Sequence, residues 1–245
     1  MNSQRHSPTS SASDARFGRI DWAAVGRDLG AWGHARLPRL LTAAECRALA
    51  SLYDEPAHFR ARVDLARQRF GGGGDYQYFA NPLPPLVAQL REALYPELAR
   101  VANRWNDQLG RDERFPPTLR GFLKRCHAAG QQRPTPLLLR YGDGGFNRLH
   151  QDLYGSIAFP LQVTVLLSEP AKDFRGGEFL LVEQRARMQS RGDAIALARG
   201  EAVVFPTWER PVESARGFSR AVMRHGVSRI EGRRVALGII FHDAK

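Results

Sequence analysis

The pattern of apolar and polar positions changes character near residue 133. Before it, apolar residues recur at three- and four-residue spacing, the period of helices with one buried face. DWAAVGRDLGAWG has an acidic start and a glycine stop, and reads as a helix. LTAAECRALASLYDEP opens with Thr42 as N-cap and Glu45 at the third helical position, a capping box, and sets Cys46, Leu49 and Leu52 on one face. LVAQLREALYPELARVANRWNDQLG is the longest helical pattern, with Pro96 as a point of kinking or division. FPPTLRGFLKRCHAAG reads as one more helix, and HARLPRLL as a short strand. Beyond residue 133 the segments shorten and alternate. LLLRY, LQVTVLLS, GEFLLVEQ, DAIALA, EAVVFP, RAVMRHGVS and RRVALGIIFH all read as strands. Leu161, Val163, Val165 and Leu167 alternate with Gln162, Thr164 and Ser168, so each set shares a face. Many short strands separated by turn residues imply a β-sandwich or barrel of the jelly-roll type. The expectation is an α+β fold: a helical region over 15–133, packed as one unit on a jelly-roll over 134–245. Residues 1–14, MNSQRHSPTSSASD, are polar and serine-rich and are expected to be a disordered tail. No internal repeat is present.

Composition adds constraints. The 245 residues are 43% hydrophobic, enough for a substantial core. Lysine and arginine number 36 against 25 acidic residues, a formal charge of +11 that permits binding to nucleic acid or an acidic substrate. Cys46 and Cys126 stand far apart, which points to a reducing compartment. No apolar run approaches a membrane span, and the N-terminus lacks the apolar core of a signal peptide, so the reading is cytoplasmic.

The chemistry concentrates in TPLLLRYGDGGFNRLHQD, residues 135–152. It starts as a strand, turns at Gly142, Gly144 and Gly145, and delivers His150 and Asp152 two residues apart. In an extended strand such residues point to one side, the spacing that chelates a metal. A lone His-x-Asp is weak evidence and is more often a polar surface turn. His225, in phase with Ala221 and Met223, and Arg234, nine residues later, change the weighing. Two histidines and one carboxylate with open positions form the facial triad of non-haem Fe(II) oxygenases. Arg234, Ala236 and Gly238 share a strand face, so a guanidinium able to pair a carboxylate is followed by room for a ligand tail. Val235, Leu237, Ile239 and Phe241 form the opposite face, expected to pack against helices. Arg233 points to that other face, and His127 and His242 read as satisfied or exposed histidines.

These motifs resemble the 2-oxoglutarate/Fe(II) dioxygenase superfamily in its prolyl 4-hydroxylase-like branch, whose core is a double-stranded β-helix. Tyr141-Gly-x-Gly-Gly leading to His150-x-Asp152 is similar to that branch's entry to its first metal pair. Gly176-Gly177-Glu178-Phe179 resembles its GGEL turn, and Gly200-Glu-Ala-Val-Val-Phe205 its strand before the distal histidine. His225-Gly-Val followed by Gly232-x-Arg234 resembles the distal histidine and the co-substrate anchor. A narrower resemblance, covering almost the full chain, is to a bacterial oxygenase family labelled as acting on damaged nucleic acid. The resemblance implies Fe(II) held by His150, Asp152 and His225. It implies 2-oxoglutarate anchored by Arg234 and bonded by Tyr141, which on strand phase is equally a core aromatic with Leu137 and Leu139, and ascorbate as a reductant; Thr164, opposite in phase to Val163 and Val165, is placed in the same pocket by the alternation. The implied reaction hydroxylates a C–H bond and releases succinate and carbon dioxide.

The substrate stays open between a peptide, a small molecule and an alkylated base, the last making the enzyme an oxidative demethylase. Arg175, Arg185, Arg187, Arg191, Arg210 and Arg216 form either an anion-binding rim or a salt-bridged surface. No signature of specific nucleic-acid reading is present. A non-catalytic jelly-roll binding protein and a zinc or nickel enzyme of cupin type are the other readings. RFGGGGDYQYFANPLPP (69–85) reads as a loop, and no Gly-Lys-Ser/Thr follows its four glycines, so it is not a phosphate-binding P-loop. The stretch Arg69–Gln77 is expected to be a flexible lid, with Phe70, Tyr76 and Tyr78 over the barrel mouth near His150 and Asp152. A mobile connector remote from the site is the alternative.

Overall fold

The structure, a computed structural model, describes residues 15–65, 67, 71–185 and 189–245. The polar stretch 1–14, Arg69, Phe70 and Arg187 lie outside the described residues.

The helical expectations hold where the period is clearest. Helix α1 spans Trp22–Ala31, and the Asp21 side chain caps it by accepting from the Ala24 N–H. Helix α2 spans Ala43–Ser51, and both halves of the Thr42–Glu45 capping box are present. Helix α3 runs unbroken over Pro85–Gln108 with Pro96 inside it, and α4 spans Leu119–Ala128. No helix among the described residues is long and apolar enough to cross a membrane.

The first half is less helical than its period implies. Strand β1 (Ala35–Leu37), β2 (Phe59–Asp64) and β3 (Gly71–Phe79) also lie there. The remaining strands are β4 (Leu137–His150), β5 (Leu161–Leu166), β6 (Phe174–Gly176), β7 (Phe179–Gln184) and β8 (Ser190–Ile195). After them come β9 (Ala202–Pro206), β10 (Glu209–Ser214), β11 (Gly217–Val227), β12 (Ile230–Gly232) and β13 (Arg234–Ile239). The main sheet runs β1-β9-β5-β13-β4-β11-β7-β8, with β10 added on β11, β3 on β4 and β2 on β3. All of the registered pairings are antiparallel, and β1 joins β9. Strands of the first half are thus hydrogen-bonded into the sheet of the second.

The glycine run corrects the loop expectation. Residues 71–79 form a strand against β4, with Gly72 opposite Phe146 and Gly74 opposite Tyr141. A Cβ on Gly72 would stand 2.2 Å from the Phe146 ring. A Cβ on Gly145 across the pair would stand 2.1 Å from the Gly73 carbonyl oxygen. These glycines answer to close backbone approach, not to a need for mobility.

The alternation along β5 and β13 sorts into two cores. Leu161, Val163, Val165, Val235, Leu237, Ile239 and Phe241 pack against Leu90, Leu94, Tyr95 and Leu98 of α3. Tyr141, Leu166, Phe174, Phe179, Val203, Phe205 and Met223 fill the other side, inside the curled sheet. Each aliphatic side chain so buried contributes roughly 1.5–3 kcal/mol. That is enough to hold the strand register that aims Arg234 inward.

Candidate metal centre

Cross-strand pairing assembles the candidate ligands. In the β4–β11 register His150 stands directly opposite His225, so the two imidazoles meet with ring centroids 4.3 Å apart. Asp152 lies two residues past the end of β4, so the strand delivers His150 while the irregular segment after it delivers the carboxylate. Between them Gln151 donates to the Trp208 and Met223 carbonyls at 3.0 and 2.9 Å, tying that segment to β11. One ligand atom from each of His150, Asp152 and His225 lies within 4.8 Å of the others. Asp152 Oδ2 is 3.2 Å from His225 Nε2, and Oδ1 is 3.6 Å from His150 Nε2.

Electrostatics favour a cation here. Burial pushes the Asp152 carboxyl up. The hydrogen bond from His225, the charges of both imidazoles and the Tyr154 hydroxyl outweigh burial and hold it well below the usual carboxylate range. Burial and the neighbouring His150 pull His225 below its ordinary value, so it is poised to offer a lone pair. His150 Nδ1 lies 2.7 Å from the Arg148 carbonyl. A carbonyl only accepts, so Nδ1 carries the proton and Nε2 is left to bind metal. Phe205 and Phe179 pack on the His225 ring at centroid distances of 4.7 and 5.9 Å and fix its plane.

The cluster opens on a cavity of about 420 Å³ that Arg234, Tyr141, Thr164, Ala236 and Gly238 also line. Arg234 is 2% exposed, and its Nε has no hydrogen-bond partner among the described residues. Burial lowers its pKa, opposed by Tyr141 and Glu178. The Tyr141 hydroxyl is buried and likewise unpartnered, and burial pushes it up to about 12. Thr164 donates to the Leu237 carbonyl at 3.3 Å, leaving its lone pairs free. The glycine turn serves this end: Gly177 has φ +65°, and a Cβ on it would stand 2.9 Å from Arg234 Cδ. Arg233 is turned outward toward Asp54 at 3.6 Å.

The two histidines read as satisfied or exposed are so. His242 is fully buried, its Nδ1 accepting from the Phe159 N–H at 3.1 Å while Nε2 is unpartnered. His127 is half exposed and paired with Asp243 at 2.9 Å. Of the six arginines, acidic residues take three, which favours the salt-bridged reading for Arg185, Arg191 and Arg210. Arg210 is buried against Glu183 at 2.5 Å, Arg185 binds Glu183 at 2.6 Å, and Arg191 lies 3.5 Å from Asp193. Tyr76 lines the cavity and Tyr78 packs against Tyr154, so this part of the glycine segment stands beside the site as a strand. The sequence reading passed over Gln162 and Tyr154, which also line the cavity. Gln162 Nε2 is buried without a partner. Its phase with Thr164 was the available signal.

Residues 74–244 match the model of a family described as "Oxygenase, catalysing oxidative methylation of damaged DNA". The chain belongs to this oxygenase family. It is thereby an oxygenase and so an oxidoreductase, and its motifs resemble the 2-oxoglutarate/Fe(II) dioxygenase superfamily. An uncharacterised Mycobacterium tuberculosis protein is 44% identical over 231 residues, covering 86% of this chain and 99% of that one. A Trichoplax adhaerens prolyl hydroxylase, solved in complex with a hypoxia inducible factor peptide fragment, superposes with a TM-score of 0.55. The two are 14% identical, over 97% of this chain and 94% of that one. A Pseudomonas putida prolyl 4-hydroxylase superposes with a TM-score of 0.50 at 19% identity, over 91% of this chain and all of that one. These two likenesses concern the fold, and they agree with the jelly-roll expectation.

Proposed function

We propose that His150, Asp152 and His225 hold Fe(II), and that Arg234 anchors the distal carboxylate of 2-oxoglutarate, with Tyr141 and Thr164 beside it. The observation that carries this is a single cavity lined by three convergent side chains able to ligate a metal and by a buried guanidinium whose Nε lacks a partner among the described residues. The donor set fits the group: two imidazoles and one carboxylate suit Fe(II) and leave one face free. Bound iron would supply the oxidation, in which one oxygen atom enters a substrate C–H bond and the other converts 2-oxoglutarate to succinate and carbon dioxide. Arg234 orients the co-substrate by a bidentate, charge-assisted pair. Tyr141, with its high pKa, stays protonated and donates a hydrogen bond. Phe179, Phe205 and Val163 exclude water from the cavity. Ascorbate would serve as the reductant that keeps iron ferrous.

The test is anaerobic addition of Fe(II) and 2-oxoglutarate. A weak visible charge-transfer band is expected, and succinate should form once oxygen and substrate are admitted. A protein that binds neither would be the non-catalytic jelly-roll of the alternative reading. Turnover with zinc or nickel and no 2-oxoglutarate would mark the cupin-type enzyme.

The substrate class remains a proposal on two lines. Hydroxylation of a peptide or small molecule suits the largely apolar, aromatic cavity. A damaged nucleic acid as substrate is favoured by the family's description and by the net charge of +11, and oxidative demethylation is the reaction we propose there. Succinate release with a methylated oligonucleotide, a proline peptide and a small-molecule panel separates them. The buried free thiols of Cys46 and Cys126 support a cytoplasmic site of action. The core shared by α3, β5 and β13 supports treating residues 15–133 and 134–245 as one unit.

A further inference from the structure

Tyr154 touches the metal cluster without belonging to it. It follows Asp152 by two residues, and its hydroxyl donates to Asp152 Oδ1 at 2.7 Å. The other carboxylate oxygen, Oδ2, is the one beside His225 Nε2. Two more tyrosines stand behind Tyr154. The Tyr78 ring meets Tyr154 edge-on with centroids 6.1 Å apart, and Tyr76 meets Tyr78 edge-on at 5.4 Å. Their hydroxyls interact in the same order, Tyr154 with Tyr78 and Tyr78 with Tyr76. The Arg60 guanidinium sits 4.6 Å over the Tyr78 ring and holds it from outside. Tyr76 and Tyr78 both belong to β3, the strand that close glycine contacts press onto β4.

A carboxylate beside a divalent cation binds through one oxygen or through both. Binding through both would consume a position that a dioxygenase must keep open. A phenol that occupies one oxygen removes that choice. We propose that Tyr154 is a positioning residue that holds Asp152 as a one-oxygen ligand, Oδ2 toward the metal and Oδ1 on the phenol. Tyr78, backed by Tyr76, fixes the Tyr154 ring, which makes β3 part of the metal site. This rests on the reading that His150, Asp152 and His225 bind divalent iron.

The experiment compares wild type, Tyr154→Phe and Tyr78→Phe. Fe(II) and Co(II) affinities are measured anaerobically by calorimetry. The charge-transfer absorption is recorded at saturating Fe(II) and 2-oxoglutarate, and thermal midpoints are taken without metal. Tyr154→Phe is expected to bind metal about 10- to 100-fold more weakly. Its absorption band should shift while its metal-free thermal midpoint stays near wild type. Tyr78→Phe should weaken binding in the same direction by less than about tenfold. A purely structural tyrosine would move the midpoint and leave the absorption band alone. Wild-type affinity and an unshifted band in Tyr154→Phe would overturn the proposal. Should that variant fail to fold, wild-type affinity in Tyr78→Phe overturns it instead. Failure of the underlying reading shows separately: wild type would take up no metal, or Asp152→Ala would bind it as tightly, and the proposal would fall with it.

Discussion

Arg210 and Arg234 are equally buried, at 1% and 2% exposure, yet their surroundings are opposite. Arg210 lies at the end of α1, where its Nη1 donates to the Gly30 carbonyl at 2.7 Å and its Nε to Glu183 at 2.7 Å. It thus closes a helix C-terminus, where unsatisfied carbonyls favour a cation. Arg234 faces the cavity, and the nearby Glu178 is engaged by Ser228. Desolvation lowers the pKa of both guanidiniums. At Arg210 the protein itself offsets that cost with a carboxylate. At Arg234 no carboxylate is paired among the described residues, and under the proposed function the offset falls to the co-substrate. The comparison separates a structural buried charge from a binding one by the presence of its counter-ion, where burial alone does not.

The largest effect tests whether the cavity around Arg234 is catalytic at all. His150→Ala, Asp152→Ala and His225→Ala should each abolish Fe(II)-dependent succinate formation while leaving the thermal midpoint near wild type. A variant that keeps wild-type 2-oxoglutarate decarboxylation is not one of the three ligands, and the comparison then loses its functional half.

The two arginines should next fail in different ways. Arg210→Ala leaves Glu183 buried with Arg185 still beside it. We expect a loss of stability toward the lower end of roughly 3–5 kcal/mol, read by urea titration. The affinity of the folded fraction for 2-oxoglutarate should not change. Arg234→Ala should weaken 2-oxoglutarate binding by about 2–5 kcal/mol, more than tenfold, with no fall in the thermal midpoint. Arg233→Ala should do little, since its side chain is 60% exposed. If Arg233 proved the sensitive one, the β13 register would be displaced by a residue. If Arg234→Ala unfolded the chain, the distinction between the two sites would collapse.

Much of this contrast was legible in the residues. The alternation around Arg234 and the phase of His225 are local properties of strands, and a sheet preserves them. So the inward face, the helix-packing face and the triad could be read from spacing. What could not be read depends on partners distant in the chain. Arg210 looked like a surface cation because Glu183 is 27 residues away, and only the sheet brings them together. The glycines of β3 looked mobile because the need for them lies across the pair, in Phe146 and Gly145. Strand β10 went unread because Pro211 and charged residues interrupt its pattern, which its pairing with β11 overrides. Asp152 was placed on an extended strand, whereas the segment after β4 presents it, with Gln151 tying that segment to the Trp208 and Met223 carbonyls and Tyr154 donating to the carboxylate.

The smallest effect concerns a third buried cation-former, His242, which the structure keeps neutral. Its Nδ1 accepts the Phe159 N–H, so the proton resides on Nε2, and a second proton would break that bond. Burial lowers its pKa from 6.5 to about 4. The unfolded chain therefore takes up a proton more readily than the folded one between those values. The stability tied to neutral His242 is fully present above pH 6.5. It falls by about 1.4 kcal/mol per pH unit below that, roughly 3 kcal/mol in all once pH reaches 4. His225 is depressed too, so acid destabilisation of the wild type contains both histidines. His242→Asn isolates one of them, because the Asn side-chain oxygen replaces Nδ1 as the acceptor for Phe159 and does not titrate. Urea titrations of metal-free protein at pH 7.5, 5.5 and 4.5 should show the variant losing less stability than wild type, with the gap widening as pH falls. Parallel curves would mean that His242 takes up its proton in the folded state without loss. It would then resemble Arg210, a buried cation with a partner, and the line drawn between paired and unpaired buried charge would not extend to it.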